Sequence, residues 1–169
     1  MQILDRYFFR HVARIAKVVL SGITTANETG TGRFSSIGDI VLTTPVIRTI
    51  KTQIPDAEVH YATKQAYRSL LEENPYVDKI HVLEDSLSSL VKELRREKFD
   101  FVVDLHNNLR TRIVKLRLRV KSQSFKKLNW EKWLLTTLKI NKLPNVHIVD
   151  RYLETLSCFE INHDNLGLD

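Results

Sequence analysis

The sequence predicts an α/β protein built on a doubly wound, Rossmann-like parallel sheet. Two observations carry this. From Arg33 onward, short strand patterns alternate with helical ones across short connections. The clearest strand, Phe99–Leu105, holds the unbroken apolar run Phe101-Val102-Val103, which suits a strand covered on both faces. Right-handed crossovers then place helices on both sides of the sheet.

Taken in order, residues 3–19 read as a helix. Leu4, Phe8, Val12, Ile15 and Val19 recur at spacings of three and four, beside a stripe of Arg6, Arg10, Arg14 and Lys17. Such a helix packs on a domain or lies on a membrane surface. Arg14 and Lys17 interrupt it too early for a secretory signal. Ser21 to Gly32 reads as a loop, with Gly22, Asn27, Gly30 and Gly32 as breakers. A turn at residues 33–39 follows, then a helix over Pro45–Gln53, with Thr44 as cap and Pro45 at its first position. A start at Asp39 is the alternative. Glu58–Ala62 reads as a strand, Lys64–Glu73 as a helix and Lys79–Leu83 as a strand.

Ser86–Glu97 is a helix with Leu87, Leu90, Val91 and Leu94 on its inner face. After the strand Phe99–Leu105 comes a helix over Leu109–Leu118, expected to turn Leu109, Ile113 and Leu116 inward. A strand near Val120–Ser124 and helices near Glu131–Leu138 and Ile148–Phe159 complete the series. The sequence contains no internal repeat.

With 169 residues, of which 43% are apolar, the chain matches one domain or half of a two-domain enzyme. At this size it buries roughly two-thirds of its unfolded surface. No apolar run reaches the length of a membrane-spanning helix. The one cysteine, Cys158, excludes an internal disulfide and a Cys-based zinc site. Nothing argues for an oxidising compartment, and the expected location is the cytoplasm.

The net charge of +6 is unevenly spread. Between Leu109 and Lys142 stand eleven basic residues and one acid, Glu131, a local charge of +10. Such a field recruits anionic partners: nucleic acid, phospholipid head groups or acidic sugars. Phe125, Trp130 and Trp133 lie in this segment and could stack on bases, so a nucleic-acid-binding module is one alternative function, with core packing the plainer role for the aromatics.

In doubly wound sheets, ligands bind outside the carboxyl ends of the strands. Two turns there carry polar chemistry. In Arg33-Phe34-Ser35-Ser36-Ile37-Gly38-Asp39, Gly38 allows a bend and close approach, and Asp39 offers a carboxylate that serves as a helix cap or as a base. In Asp104-Leu105-His106-Asn107-Asn108-Leu109-Arg110-Thr111, a carboxylate, an imidazole, two amides and a guanidinium gather in one turn. These groups suit polyhydroxylated or anionic ligands, while strand-end capping accounts for one or two of them. His60, His81, His147 and His163 show no metal-ligand spacing and read as structural or surface residues, so no metal site is expected. Gly30 and Gly32 form neither a P-loop nor a dinucleotide fingerprint.

The run Arg33-Phe34-Ser35-Ser36-Ile37-Gly38-Asp39-Ile40-Val41-Leu42-Thr43-Thr44-Pro45 resembles the amino-terminal signature of family 9 glycosyltransferases, the ADP-heptose:lipopolysaccharide heptosyltransferases. Phe101 to Arg110 is similar to the family's later pattern of a strand, an Asp, a polar turn and an Arg. The resemblance covers about residues 33–158. It implies the amino-terminal, acceptor-side domain of a GT-B fold, whose partner domain binds the nucleotide-sugar donor. It implies inverting, metal-free transfer from ADP-heptose to the lipopolysaccharide core, with no cofactor. Asp39 corresponds to the family's catalytic base. Ser36, Gly38, Asp104, His106, Asn107 and Arg110 are the expected acceptor-binding residues.

A full family member continues into a donor domain beyond the region matched here. The expectation is therefore little transfer by this chain alone, an inactive truncated product being the limiting case. The family's first strand runs directly into its Arg-x-Ser motif. Here that place holds residues 24–32, a poor strand, so residues 1–32 read as an extension, 33–160 as the domain and 161–169 as a tail or linker. The basic segment is expected to hold an acidic acceptor, or to dock the protein peripherally on the anionic inner face of the cytoplasmic membrane, where each Lys or Arg contributes about 1 kcal/mol.

Overall fold

In the computed structural model, residues 17–21, 32–54, 56–126, 146–159, 161 and 166–168 are described. Five strands form one parallel sheet: β1 (Lys17–Ser21), β2 (Glu58–Lys64), β3 (Lys79–Leu83), β4 (Phe101–Asp104) and β5 (Lys121–Ser124). Their spatial order is β3-β2-β1-β4-β5. The helices are α1 (Gly32–Val41), α2 (Thr44–Gln53), α3 (Leu87–Glu97), α4 (Leu109–Leu118) and α5 (Ile148–Leu153). Two 3₁₀ segments, Gln65–Leu70 and Glu154–Phe159, follow β2 and α5.

The sheet is double-faced, as its apolar strands require. On one face Val18, Leu20, Val59, Tyr61, Phe101 and Val103 pack against Ile40, Val46, Ile47 and Ile50 of α1 and α2 and Tyr152 of α5. On the other, Val19, Ala62 and Val102 pack against Leu90, Val91 and Leu94 of α3 and Val114 of α4. Successive residues of β1 thus serve opposite cores, the period-two signature of a central strand.

That central strand corrects the first element. Lys17–Ser21 is not the end of a helix; it pairs with β2 in the register Lys17↔Glu58 and with β4 in the register Val18↔Phe101. The strand on which the fold depends therefore comes from within the segment read as an extension. Residues 3–16 of the expected helix lie outside the described residues, as does the helix near Glu131–Leu138. The continuous triplet Val18-Val19-Leu20 was the available signal, and the helical spacing of Val19 with Ile15 and Val12 masked it.

Residues 33–39 are a second correction. They form the body of α1 rather than a turn. Gly38 does not bend the chain: its φ is not positive, and a Cβ there would meet nothing within 4 Å. Asp39 accordingly lies inside a helix rather than at its start. The break falls at Leu42-Thr43, where the Thr43 hydroxyl donates to the Ile40 carbonyl at 2.6 Å and contacts the Tyr61 hydroxyl at 3.0 Å. Pro45 sits in the first turn of α2, where no intrahelical N–H is needed. Residues 65–70 form a 3₁₀ segment in place of the expected helix over Lys64–Glu73.

Most remaining elements lie where their patterns put them, including Lys79–Leu83 and Leu109–Leu118 to the residue, but the expected helix over Ile148–Phe159 is α-helical only to Leu153 and continues as a 3₁₀ segment. Ser86 caps α3 by accepting from the Ser89 N–H at 3.1 Å. One orientation is reversed. Helix α4 buries Thr111 and Val114 and leaves Leu109 and Leu116 exposed, opposite to the expected inward stripe.

Candidate active site

Strand order reverses between β1 and β4, because β2 and β3 lie to one side of β1 and β4 and β5 to the other. At such a switch point the loops leave in opposite directions and open a crevice at the carboxyl ends of the strands. The segment after β4, Leu105–Asn108, borders it, and its geometry follows from one side chain.

Asp104 is fully buried at the tip of β4. Its Oδ1 accepts from the backbone N–H of His106 at 3.2 Å and of Asn107 at 2.7 Å. Its Oδ2 accepts from the Thr111 hydroxyl at 2.9 Å and lies 2.6 Å from the Lys115 ammonium. A buried carboxylate needs such a set of donors to offset its lost hydration. Asp104 was expected to bind acceptor. With no exposed surface and both oxygens occupied, it instead shapes the turn. Asn107 completes that shape at a positive φ of 41°, which Asn tolerates better than most residues. Its Nδ2 donates to the Phe125 carbonyl at 3.0 Å, tying the turn to the end of β5. Asn108 then opens α4 through a reciprocal capping box with Thr111, both bonds at 3.0 Å.

The residues left to face a ligand are thus fewer than the sequence suggested. His106 is half-buried, and Arg110 is exposed in the first turn of α4. Beyond β5, a cavity of about 240 Å³ is lined by Ser124, Lys126, Arg151, Glu154 and Thr155. Arg151 bridges its wall, stacking over the Phe125 ring at 4.7 Å and donating to the Lys126 carbonyl at 2.7 Å. With Lys126 and Arg151 against Glu154, the lining keeps an excess of positive charge that suits a carboxylate or phosphate. Phe125 itself is buried against Tyr152, so it is not offered to a base; Trp130 and Trp133 lie outside the described residues.

Asp39 lies on the other face of the sheet from α4, on α1 with Ser36 and Gly38. It is half-buried. Its charge reaches two phenols. Burial pushes the Tyr152 hydroxyl up to about 12, and the Asp39 carboxylate adds to that shift while Arg151 opposes it. Burial raises Tyr61 as well, and its hydrogen bond to Thr43 only partly offsets this. Both tyrosines therefore stay protonated near neutral pH. Among the described contacts, Asp39 is linked to Tyr61 and Tyr152 and not to the Asp104 cluster. The two motifs therefore approach the carboxyl edge from opposite faces of the sheet.

A second polar cluster, missed as a unit in the sequence, lies under α3. His60 and His81 are fully buried, with Nδ1 of His60 2.8 Å from Nε2 of His81. Glu58 lies 2.8 Å from the other His60 nitrogen, and Glu93 2.5 Å from the other His81 nitrogen. Phe99 meets both rings edge-on. Ligand-type atoms of His60, His81 and Glu97 fall within 4.8 Å of one another. They do not make a good cation site. All four ring nitrogens have partners, and Glu97 is paired with both Lys79 and Lys17. Three contacts along Glu58–His60–His81–Glu93 ask for three protons, and two neutral imidazoles bring two. The Glu93 carboxylate favours an extra proton on His81; burial opposes it and prevails, holding His81 below its ordinary value. His147 has a plainer role, accepting from the Val149 N–H at 3.3 Å at the start of α5.

No family model matches the chain. It is 29% identical over 133 residues to lipopolysaccharide heptosyltransferase 3 of Escherichia coli K12, a match covering 70% of this chain and 38% of that protein. A lipopolysaccharide heptosyltransferase 1 from Campylobacter coli is 25% identical over 139 residues, covering 77% of this chain and 40% of that protein. Among solved structures, a family 9 glycosyl transferase from Veillonella parvula DSM 2008 superimposes with a TM-score of 0.64 at 20% identity. That match covers 90% of this chain and 44% of that one. The chain thus spans about two-fifths of the length of the curated relatives it matches. In sequence it is similar to lipopolysaccharide heptosyltransferases, and its five-stranded parallel sheet with flanking helices is the Rossmann-like fold that superimposes on part of family 9 glycosyltransferase structures of the GT-B class.

Proposed function

We propose that this chain is the acceptor-side half of a heptosyltransferase-type glycosyltransferase that builds the lipopolysaccharide core. The observation that carries this reading is the similarity to curated heptosyltransferases combined with a half-buried Asp39 on a helix flanking the carboxyl edge of the sheet. A sugar hydroxyl is a weak nucleophile at neutral pH. In the proposed step Asp39 accepts its proton as the oxygen bonds to the anomeric carbon of the donor heptose. The bond from that carbon to the ADP oxygen breaks, and the configuration inverts. General-base assistance of this kind is worth about 10²–10⁴-fold.

His106 and Arg110 are the residues of the Asp104 turn left to contact acceptor. The Lys126–Arg151 cavity offers positive charge for the carboxylates or phosphates of an inner-core sugar. ADP-heptose is the donor, and a donor-binding domain or chain completes the cleft; the region matched here is expected to transfer little by itself. The reading places the protein at the cytoplasmic face of the membrane. None of the described helices is long and apolar enough to cross it.

The test is Asp39→Asn in a version joined to a donor domain, assayed with ADP-heptose and a heptose-deficient core acceptor. The expected result is a fall in kcat of about 10²–10⁴-fold with acceptor binding retained. Unchanged turnover removes Asp39 from the chemistry.

A further inference from the structure

Helix α4 carries two apolar faces, and the sheet uses only one. Thr111 and Val114 are buried, and Leu118 packs beside Val114. On the far side Leu109 is 70% exposed and Leu116 77%. At about 100° per residue, Leu109, Ile113 and Leu116 fall in one narrow stripe directly opposite Val114 and Leu118. Arg112 borders this stripe on one side, and Arg110 and Arg117 on the other. Arg119 follows at the left-handed cap, and the helix contains no acid. The Arg117 guanidinium donates to Ser88, and Arg95 of α3 donates to the Arg117 carbonyl, so α3 adds a cation of its own, Arg95, to the same surface.

We propose that α4 is a membrane-surface element that lies on an anionic phospholipid bilayer. Leu109, Ile113 and Leu116 enter the boundary between head groups and acyl chains, and the bordering arginines pair with lipid phosphates. The arrangement fits that partner better than others. An exposed apolar stripe flanked on both sides by cations offers the two things an anionic bilayer surface recognises, apolar area and positive charge. Nucleic acid would use the arginines but has no use for two exposed leucines. A second copy of this chain would set arginines against arginines across a two-fold axis. The inference rests on the membrane-face placement proposed above and shares Arg110 with the acceptor reading, but its test reads vesicle binding and not sugar transfer, so the two can fail separately.

The experiment is co-sedimentation of the full chain with phosphatidylcholine vesicles, with and without phosphatidylglycerol, at low and physiological salt. Binding is expected only with the anionic lipid. Arg112→Gln should weaken it roughly fivefold. The double variant L109Q/L116Q should weaken it by about tenfold or more, and the loss should persist at low salt. Leu116→Phe, which keeps an apolar group in the stripe, should bind anionic vesicles at least as well as the parent. Both leucines are exposed, so circular dichroism and urea unfolding should match the parent. Absence of binding to anionic vesicles overturns the proposal. So does vesicle binding that L109Q/L116Q leaves unchanged, or tighter binding to duplex DNA than to vesicles. Concentration-dependent dimerisation that L109Q/L116Q abolishes, without vesicle binding, also overturns it.

Discussion

The two buried polar clusters are assembled in opposite ways. Around Asp104 the four donors, from His106, Asn107, Thr111 and Lys115, all lie within eleven residues of the carboxylate. Around His60 and His81 the partners come from two strands and a helix, with Lys17 of β1 holding Glu58 and Glu97 at the margin. The first cluster forms once a strand, a turn and a helix follow one another. The second forms only when β2 and β3 pair in register, His60 opposite Lys79 and Ala62 opposite His81. The Asp104 cluster centres on a charge with no exposure, whereas the histidine cluster hands its charge outward to Glu58 and Glu93, which are partly exposed. Local clusters position a site, and non-local ones certify that the sheet has closed correctly.

The largest effect should come from the local cluster. Asp104→Ala removes the acceptor for four donors and strands the mostly buried Lys115 ammonium, a loss of about 3–5 kcal/mol in urea unfolding. A loss under about 1 kcal/mol would mean that the cluster is not the anchor of the turn. Next is the histidine pair. His81→Leu leaves His60 with a buried, unmatched nitrogen and should cost about 1–3 kcal/mol. The double replacement His60→Leu/His81→Leu removes both polar groups, so a double-mutant cycle should show it costing less than the sum of the singles. Strict additivity would argue against a coupled pair.

The same pair should show in the pH dependence of stability. Because the folded protein holds His81 below its ordinary value of 6.5, the unfolded chain binds more protons in the window beneath that value. Stability should be full above about pH 6.5 and decline as pH falls through the window, and His81→Leu should flatten that decline. A decline of the same slope in the variant would assign it to other groups. The smallest effect sharpens the local side: Asn108→Ala breaks one half of the capping box and should cost about 1 kcal/mol.

The sequence by itself determined the class of fold and the positions of most elements. Alternation of short apolar strands with amphipathic helices has few packed solutions, and strand Lys79–Leu83 and helix Leu109–Leu118 were legible because their boundaries carry turn residues or caps. It also made both polar motifs visible, since Asp104 to Thr111 and Arg33 to Pro45 are continuous in the chain. Tertiary structure decided the rest. Val18-Val19-Leu20 is central because both neighbouring strands pair with it, information held in residues forty and eighty positions away. Asp104 is structural rather than ligand-facing because four donors converge on it, and composition cannot say which way a carboxylate points. Helix α4 turns Val114, not Leu116, toward the sheet because Thr111 must reach Asp104. One hydrogen bond thus fixes the rotation of a helix whose two apolar faces left its orientation undecided.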